Sequence, residues 1–232
     1  MRASLTRRRC APIPDATAPG AGSERTASFV ASLCYAPPGA PPARGGPDGE
    51  TTMTTAAAEK LAEVRAIAEA RLGGEEGAAF LPALDRLFAR AAADEIAEIG
   101  AEELYGCALA LWRFLRTRPG GAPKLRVYTP RTAEHGWEAR HSILEAVNDD
   151  GPFIVDSLAT LLTERGVGIH GLIHPVVGAV RDAEGALVRL ADRDDPEARA
   201  ESVVQVQIDR LGGDEELQAL AEAARAMFAD VR

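Results

Sequence analysis

Asn148-Asp149-Asp150-Gly151-Pro152-Phe153-Ile154-Val155-Asp156-Ser157 is the stretch that decides the fold, together with Ile173-His174-Pro175-Val176-Val177 one helix length further on. Residues 142–147 read as a strand that ends in the polar Asn-Asp-Asp turn. Gly151-Pro152 then opens a helix, because proline supplies the backbone angle of a first helical residue and lacks only an N–H that would be unpaired there. Ile154, Leu158, Leu161 and Leu162 share one face of that helix, and Gly166 closes it. A second apolar run, residues 167–180, comes directly after it. The order is strand, acidic loop, helix, strand.

Upstream, Leu61, Val64, Ala68 and Leu72 recur at spacings of three and four, which describes one face of a helix over residues 56–72 that Gly73-Gly74 stops. Phe80, Leu84, Leu87, Phe88 and Ala91 mark a second helix. Leu104, Ala108, Leu111 and Leu115 mark a third, which stops before Pro119-Gly120-Gly121. Strands are expected at 124–129, 141–147, 167–180 and 201–209, with a turn at Asp182-Ala183-Glu184-Gly185 and a closing amphipathic helix over 214–231.

This order resembles the first half of an ACT-type, ferredoxin-like βαββαβ domain. The chain is also similar in wording to the N-terminal region of the very long bacterial NAD-dependent glutamate dehydrogenases. The likeness runs over roughly residues 77–232, through Glu103-Leu104-Tyr105-Gly106, Ala108-Leu109-Ala110, Trp112-Arg113, Arg126-Val127-Tyr128 and Gly136-Trp137-Glu138 in shared order. It implies an α+β fold, a helical segment (53–120) leading into an ACT-like antiparallel sheet (121–232) with its helices on one face. Such a unit needs a strand after its second helix. Either 124–129 fills the vacant edge or the unit is truncated, and the resemblance favours truncation of a longer protein.

Residues 1–52 stand apart in composition. They hold eight of the 15 prolines, no repeating apolar face, and a net charge of +2 against −11 for the remaining residues. Such a segment cannot offset backbone ordering at about 1–2 kcal/mol per residue, so disorder is expected. Arg7-Arg8-Arg9 lacks the apolar run of a secretory signal, and Met53-Thr54-Thr55, just ahead of the first helix, reads as the natural start. An acidic body repels phosphate backbones and anionic lipid, which argues against nucleic-acid and membrane partners. Cys10, Cys34 and Cys107 make no CxxC pair and imply neither a zinc site nor a disulfide framework. The cytoplasm is the expected location.

Candidate chemistry is thin. Gly166-Val167-Gly168-Ile169-His170-Gly171 matches G-x-G-x-x-G with Asp192 downstream, but a pyrophosphate loop leaves a strand and opens a helix, and here the order is reversed. His170 and His174 would lie roughly 13 Å apart on a regular strand, too far for one ion unless a bulge beside Gly171 shortens the gap, so packing is the expected role. Asn148, Asp149, Asp150 and Gly151 are the candidate ligand residues, since the resemblance places effector sites in this loop and a helix start suits a carboxylate. The plainer reading makes them turn and cap residues. Lys60 and Lys124, the two lysines, have no catalytic context. No catalytic or metal-ligating residue is expected, and no cofactor in this chain, with NAD belonging to the parent enzyme.

The resemblance thus implies a non-catalytic regulatory or assembly part of an enzyme that converts L-glutamate and NAD to 2-oxoglutarate, ammonia and NADH. Its partners would be the rest of that chain, further copies in a homo-oligomer, and an amino-acid effector. The alternative is a free-standing ACT-like amino-acid sensor.

Overall fold

The computed structural model describes residues 55–88, 91, 96, 99–192 and 195–231. The expectations for residues 1–52, for Cys10 and Cys34, and for Met53 lie outside these. Three helices come first, α1 (Thr55–Arg71), α2 (Gly74–Phe88) and α3 (Ala101–Leu115). After them come β1 (Lys124–Tyr128), the short α4 (Thr132–His135), β2 (Ser142–Asp149), α5 (Ile154–Glu164), β3 (Ile169–Ile173), β4 (Val176–Arg181), β5 (Leu187–Ala191), β6 (Arg199–Ile208) and α6 (Asp214–Asp230).

The strands form one antiparallel sheet in the order β1-β2-β6-β4-β5, with β3 also paired to β6. β3 and β4 lie along the same partner, Leu172 opposite Val206 and Val176 opposite Ser202. They are one long strand broken at His174-Pro175, where proline removes a ladder donor. β2, α5 and β3–β4 make a split crossover with β6 inserted between its two strands. β1 runs antiparallel along β2, from Lys124 opposite Val147 to Tyr128 opposite Ile143. The upstream segment therefore occupies the edge expected of the fourth ferredoxin-like strand, so 124–129 fills the vacant position.

Each sheet face has its own core. Leu144, Ala146, Val204, Val206 and Ile208 pack beneath α5 and α6, against Leu158, Leu162, Leu220 and Phe228. Val147, Val203, Ile173 and Val177 pack on the opposite face against α1, α2 and α3, whose Val64, Phe80, Leu84, Leu104 and Leu111 are fully buried. At about 1.5–3 kcal/mol for each buried Leu, Val or Phe side chain, both cores contribute substantially. α3 can approach the 132–141 connection because residue 106 is glycine. A Cβ there would stand 2.6 Å from the Trp137 ring, so two stretches of the family wording meet in space.

Several boundaries differ from the sequence reading. Residues 167–180 form two strands instead of one, and β5 was not anticipated, since Leu-Val-Arg-Leu-Ala shows no clean alternation. The two helices of the ACT-like unit, α5 and α6, share one face of the sheet as expected, and the upstream helices α1 to α3 form a second layer on the other. α2 starts at Gly74, six residues ahead of Phe80, and carries Pro82 inside it. β2 continues through Asn148 and Asp149, paired with Ser202 and Glu201, and α5 begins only at Ile154. Gly166 behaves as expected. With φ +67° it ends α5 while its N–H bonds the Thr163 carbonyl and the Val167 N–H bonds that of Leu162, the paired bonds of a Schellman cap.

Candidate functional site

The loop between β2 and α5 gathers the predicted ligand residues at one end of the sheet. Asn148 is 4% exposed, and its Oδ1 is buried without a hydrogen-bond partner. A buried acceptor left unpaired costs on the order of 1–3 kcal/mol. Its ladder neighbour Ser202 holds His174, with Oγ and the imidazole Nε2 2.6 Å apart. Burial pushes the His174 imidazole below its ordinary value, and the charge of Asp150 acts the other way. The Asp150 N–H is bonded to the Ala200 carbonyl, which ties the loop to β6.

None of these residues occupies the N-cap position of α5. The residue at the start of α5 is Phe153, in the left-handed region at φ 65°, and its side chain makes no cap bond. Asn148 and Asp149 are strand residues whose backbones are committed to β6. Phe153 is 69% exposed. A bulky side chain in that backbone region is strained, and such strain concentrates at functional loops. The first N–H groups of a helix carry partial positive charge and favour an anion.

Asp149 has a specific counter-ion. Arg118, 2% exposed, donates from Nη1 to Asp149 Oδ1 (2.8 Å) and to Glu201 Oε1 (3.1 Å), and from Nε and Nη2 to the carbonyls of Ala122 and Gly121. Arg181 completes the group, donating from Nε and Nη2 to the two Glu201 oxygens at 2.8 and 2.7 Å. The loop is thereby anchored to the exit of α3, to β4 and to β6.

Asn148, Asp149, Asp150 and Gly151 are brought together as expected. His174 and Ser202 join them because β6 pairs between β2 and β4, a relation no local pattern carries. His170 is separated from His174 and lies at the other end of the sheet, with its Nε2 2.7 Å from Asp209 Oδ1. A bulge between Ile169 and Gly171 does occur, yet among the described residues no group of three or more His, Cys, Asp or Glu could hold a metal ion. Lys124 is engaged by the Phe114 and Thr117 carbonyls and the Thr117 hydroxyl at 2.6–2.9 Å. Burial lowers its pKa. The glycines of the G-x-G-x-x-G match leave α5 and enter β3, the order that cannot present a helix start to a pyrophosphate.

The profile of the family described as "Glutamate dehydrogenase, ACT1 domain" matches residues 83–224, well over half of the chain. The chain belongs to that family. An NAD-specific glutamate dehydrogenase of Halomonas elongata is 34% identical over 142 residues, 60% of this chain and 9% of the relative. One from Pseudomonas aeruginosa is 33% identical over 150 residues, 64% of this chain and again 9% of the relative. The chain therefore spans 9% of the length of each of these curated relatives. Its family match starts inside α2 and ends in α6, so it takes in helices of both faces as well as the sheet.

Proposed function

We propose that this chain is the non-catalytic, regulatory or assembly part of an NAD-dependent glutamate dehydrogenase in the cytoplasm, and that its β2–α5 loop takes a free amino acid as effector. The parent reaction is then oxidation of L-glutamate by NAD to 2-oxoglutarate and ammonia. The observation that carries the effector reading is the buried, unpartnered Asn148 Oδ1 close to the start of α5. A zwitterionic amino acid offers an ammonium group to donate to the amide oxygen and a carboxylate for the helix N–H groups. Repulsion of the ligand carboxylate by Asp149 is reduced because Arg118 already pairs with that side chain.

Calorimetric titration of the purified chain with glutamate, aspartate and a panel of other amino acids tests this. Saturable binding lost in Asn148→Leu and retained in the remote Lys60→Ala supports the loop as the site. Absence of heat for every amino acid removes the effector reading. NADH absorbance with saturating glutamate and NAD tests the non-catalytic part. Turnover that co-purifies with the chain and disappears in Lys124→Ala would overturn it.

A further inference from the structure

The histidine cluster at the sheet end away from the β2–α5 loop has no part in effector binding. His141 stands just before β2, His170 is in β3, and Asp209 comes immediately after β6. The two imidazole rings are stacked with centroids 4.1 Å apart and planes 22° from parallel. His170 Nε2 lies 2.7 Å from Asp209 Oδ1. The other Asp209 oxygen accepts the Gly168 N–H at 2.7 Å, and the Asp209 N–H donates to the Gly168 carbonyl at 3.0 Å. Asp209 thus fastens the α5–β3 connection to the end of β6 while holding one ring of the stacked pair.

We propose that His141, His170 and Asp209 form a proton-sensitive fastening, closed while the two histidines share at most one proton and opened by the second. The Asp209 carboxylate against His170 can offset one positive charge on the pair. A second proton places two cations in stacked contact, and among the described residues Asp209 is the carboxylate that faces them. The other charged groups at this end do not help. Arg140 precedes His141 in the chain and adds positive charge. The Arg210 guanidinium beyond β6 is engaged with the Ala139 carbonyl at 3.1 Å. Burial and the neighbouring His170 hold the His141 imidazole below its ordinary value, against the pull of Asp209. The Asp209 carboxyl is itself held low, first by its bond to His170. Separation of the rings draws His170 off Asp209 and slackens the Gly168 contact, freeing the exit of α5.

The test is an NMR titration of the full chain from about pH 8 to about pH 5, tracking the four imidazoles and the Gly168 amide. His141 and His170 should share two inflections separated by about one pH unit or more, as coupled groups do. The Gly168 amide should move with the second. His135 and His174, which contact Tyr128 and Ser202 instead, serve as internal controls. In His141→Phe, which keeps a ring against His170, His170 should titrate in one step and Gly168 should stay put. Should that variant fail to fold, Asp209→Asn replaces it, and both inflections should then fall to lower pH. Independent single-step curves for the two histidines, a Gly168 amide that is flat throughout, or an unchanged titration in Asp209→Asn would each overturn the proposal.

Discussion

The two faces of the sheet are built from the same strands and could hardly differ more. Beneath α5 and α6, β2 and β6 present Leu144, Ala146, Val204 and Val206, and the interface is apolar. Beneath α1 to α3, the alternate residues of the same strands include Glu145, Glu201, Gln205 and Gln207, all buried. Glu145 accepts from Arg126 and, at 2.8 Å, from Gln205 Nε2. Arg118 and Arg181 serve Glu201. Alternation in an antiparallel strand ordinarily means one face on the core and one in water. Here the polar face is covered by a second helical layer, so its charges had to be paired rather than solvated.

The largest effects should come from breaking that pairing by halves. Glu201→Leu leaves the buried Arg118 and the half-buried Arg181 without their shared carboxylate, and chemical denaturation should show a loss of about 3–5 kcal/mol. Replacing Arg118 and Arg181 by Met in the same protein should recover most of it, because a buried ion set and an apolar set of similar volume are often close in stability. A combined variant as unstable as the single one would mean that the charges are a net source of stability. On the apolar face, Phe228→Ala should also cost about 3–5 kcal/mol through lost burial and a residual cavity.

A smaller effect tests whether the helical layer is seated by shape. Gly106→Ala places a methyl against the Trp137 ring. Overpacking of this kind costs typically about 1–3 kcal/mol. A change within about 0.5 kcal/mol, the ordinary range for surface sites, would show that α3 can shift away from the 132–141 connection without penalty.

How much of this was legible depended on how local each feature is. The face of α3, the crossover from β2 to β3 and the glycine that ends α5 rest on spacings within one turn or one cap, and they were readable. The break at His174-Pro175 had a local cause in proline, yet the apolar run across it read as continuous. β5 is an edge strand whose exposed Val188 and Arg189 hide any alternation. The burial of Arg118 could not be read at all, since an arginine before Pro119-Gly120-Gly121 looks like solvated punctuation until the helical layer and β6 close over it. The 148–151 loop was legible as a candidate, while the N-cap position of α5 fell to Phe153, a residue no capping pattern marks.

The smallest predicted effect concerns pH and bears on the candidate loop. His174 is half-buried with its imidazole pushed below the ordinary value, chiefly by desolvation. The unfolded chain then binds a proton more readily than the fold does, so stability rises with pH through that window. The contribution is fully present above the unfolded value of about 6.5. It is lost as pH falls from there through the lower folded value, and below that it changes no further. Thermal unfolding of the wild type and of His174→Asn, measured across that window, should converge as pH falls, because the variant has no proton to take up. Parallel melting curves would show that the ring at Ser202 is solvated enough to titrate as in the unfolded chain. A desolvated, neutral ring would then be no part of the environment around Asn148.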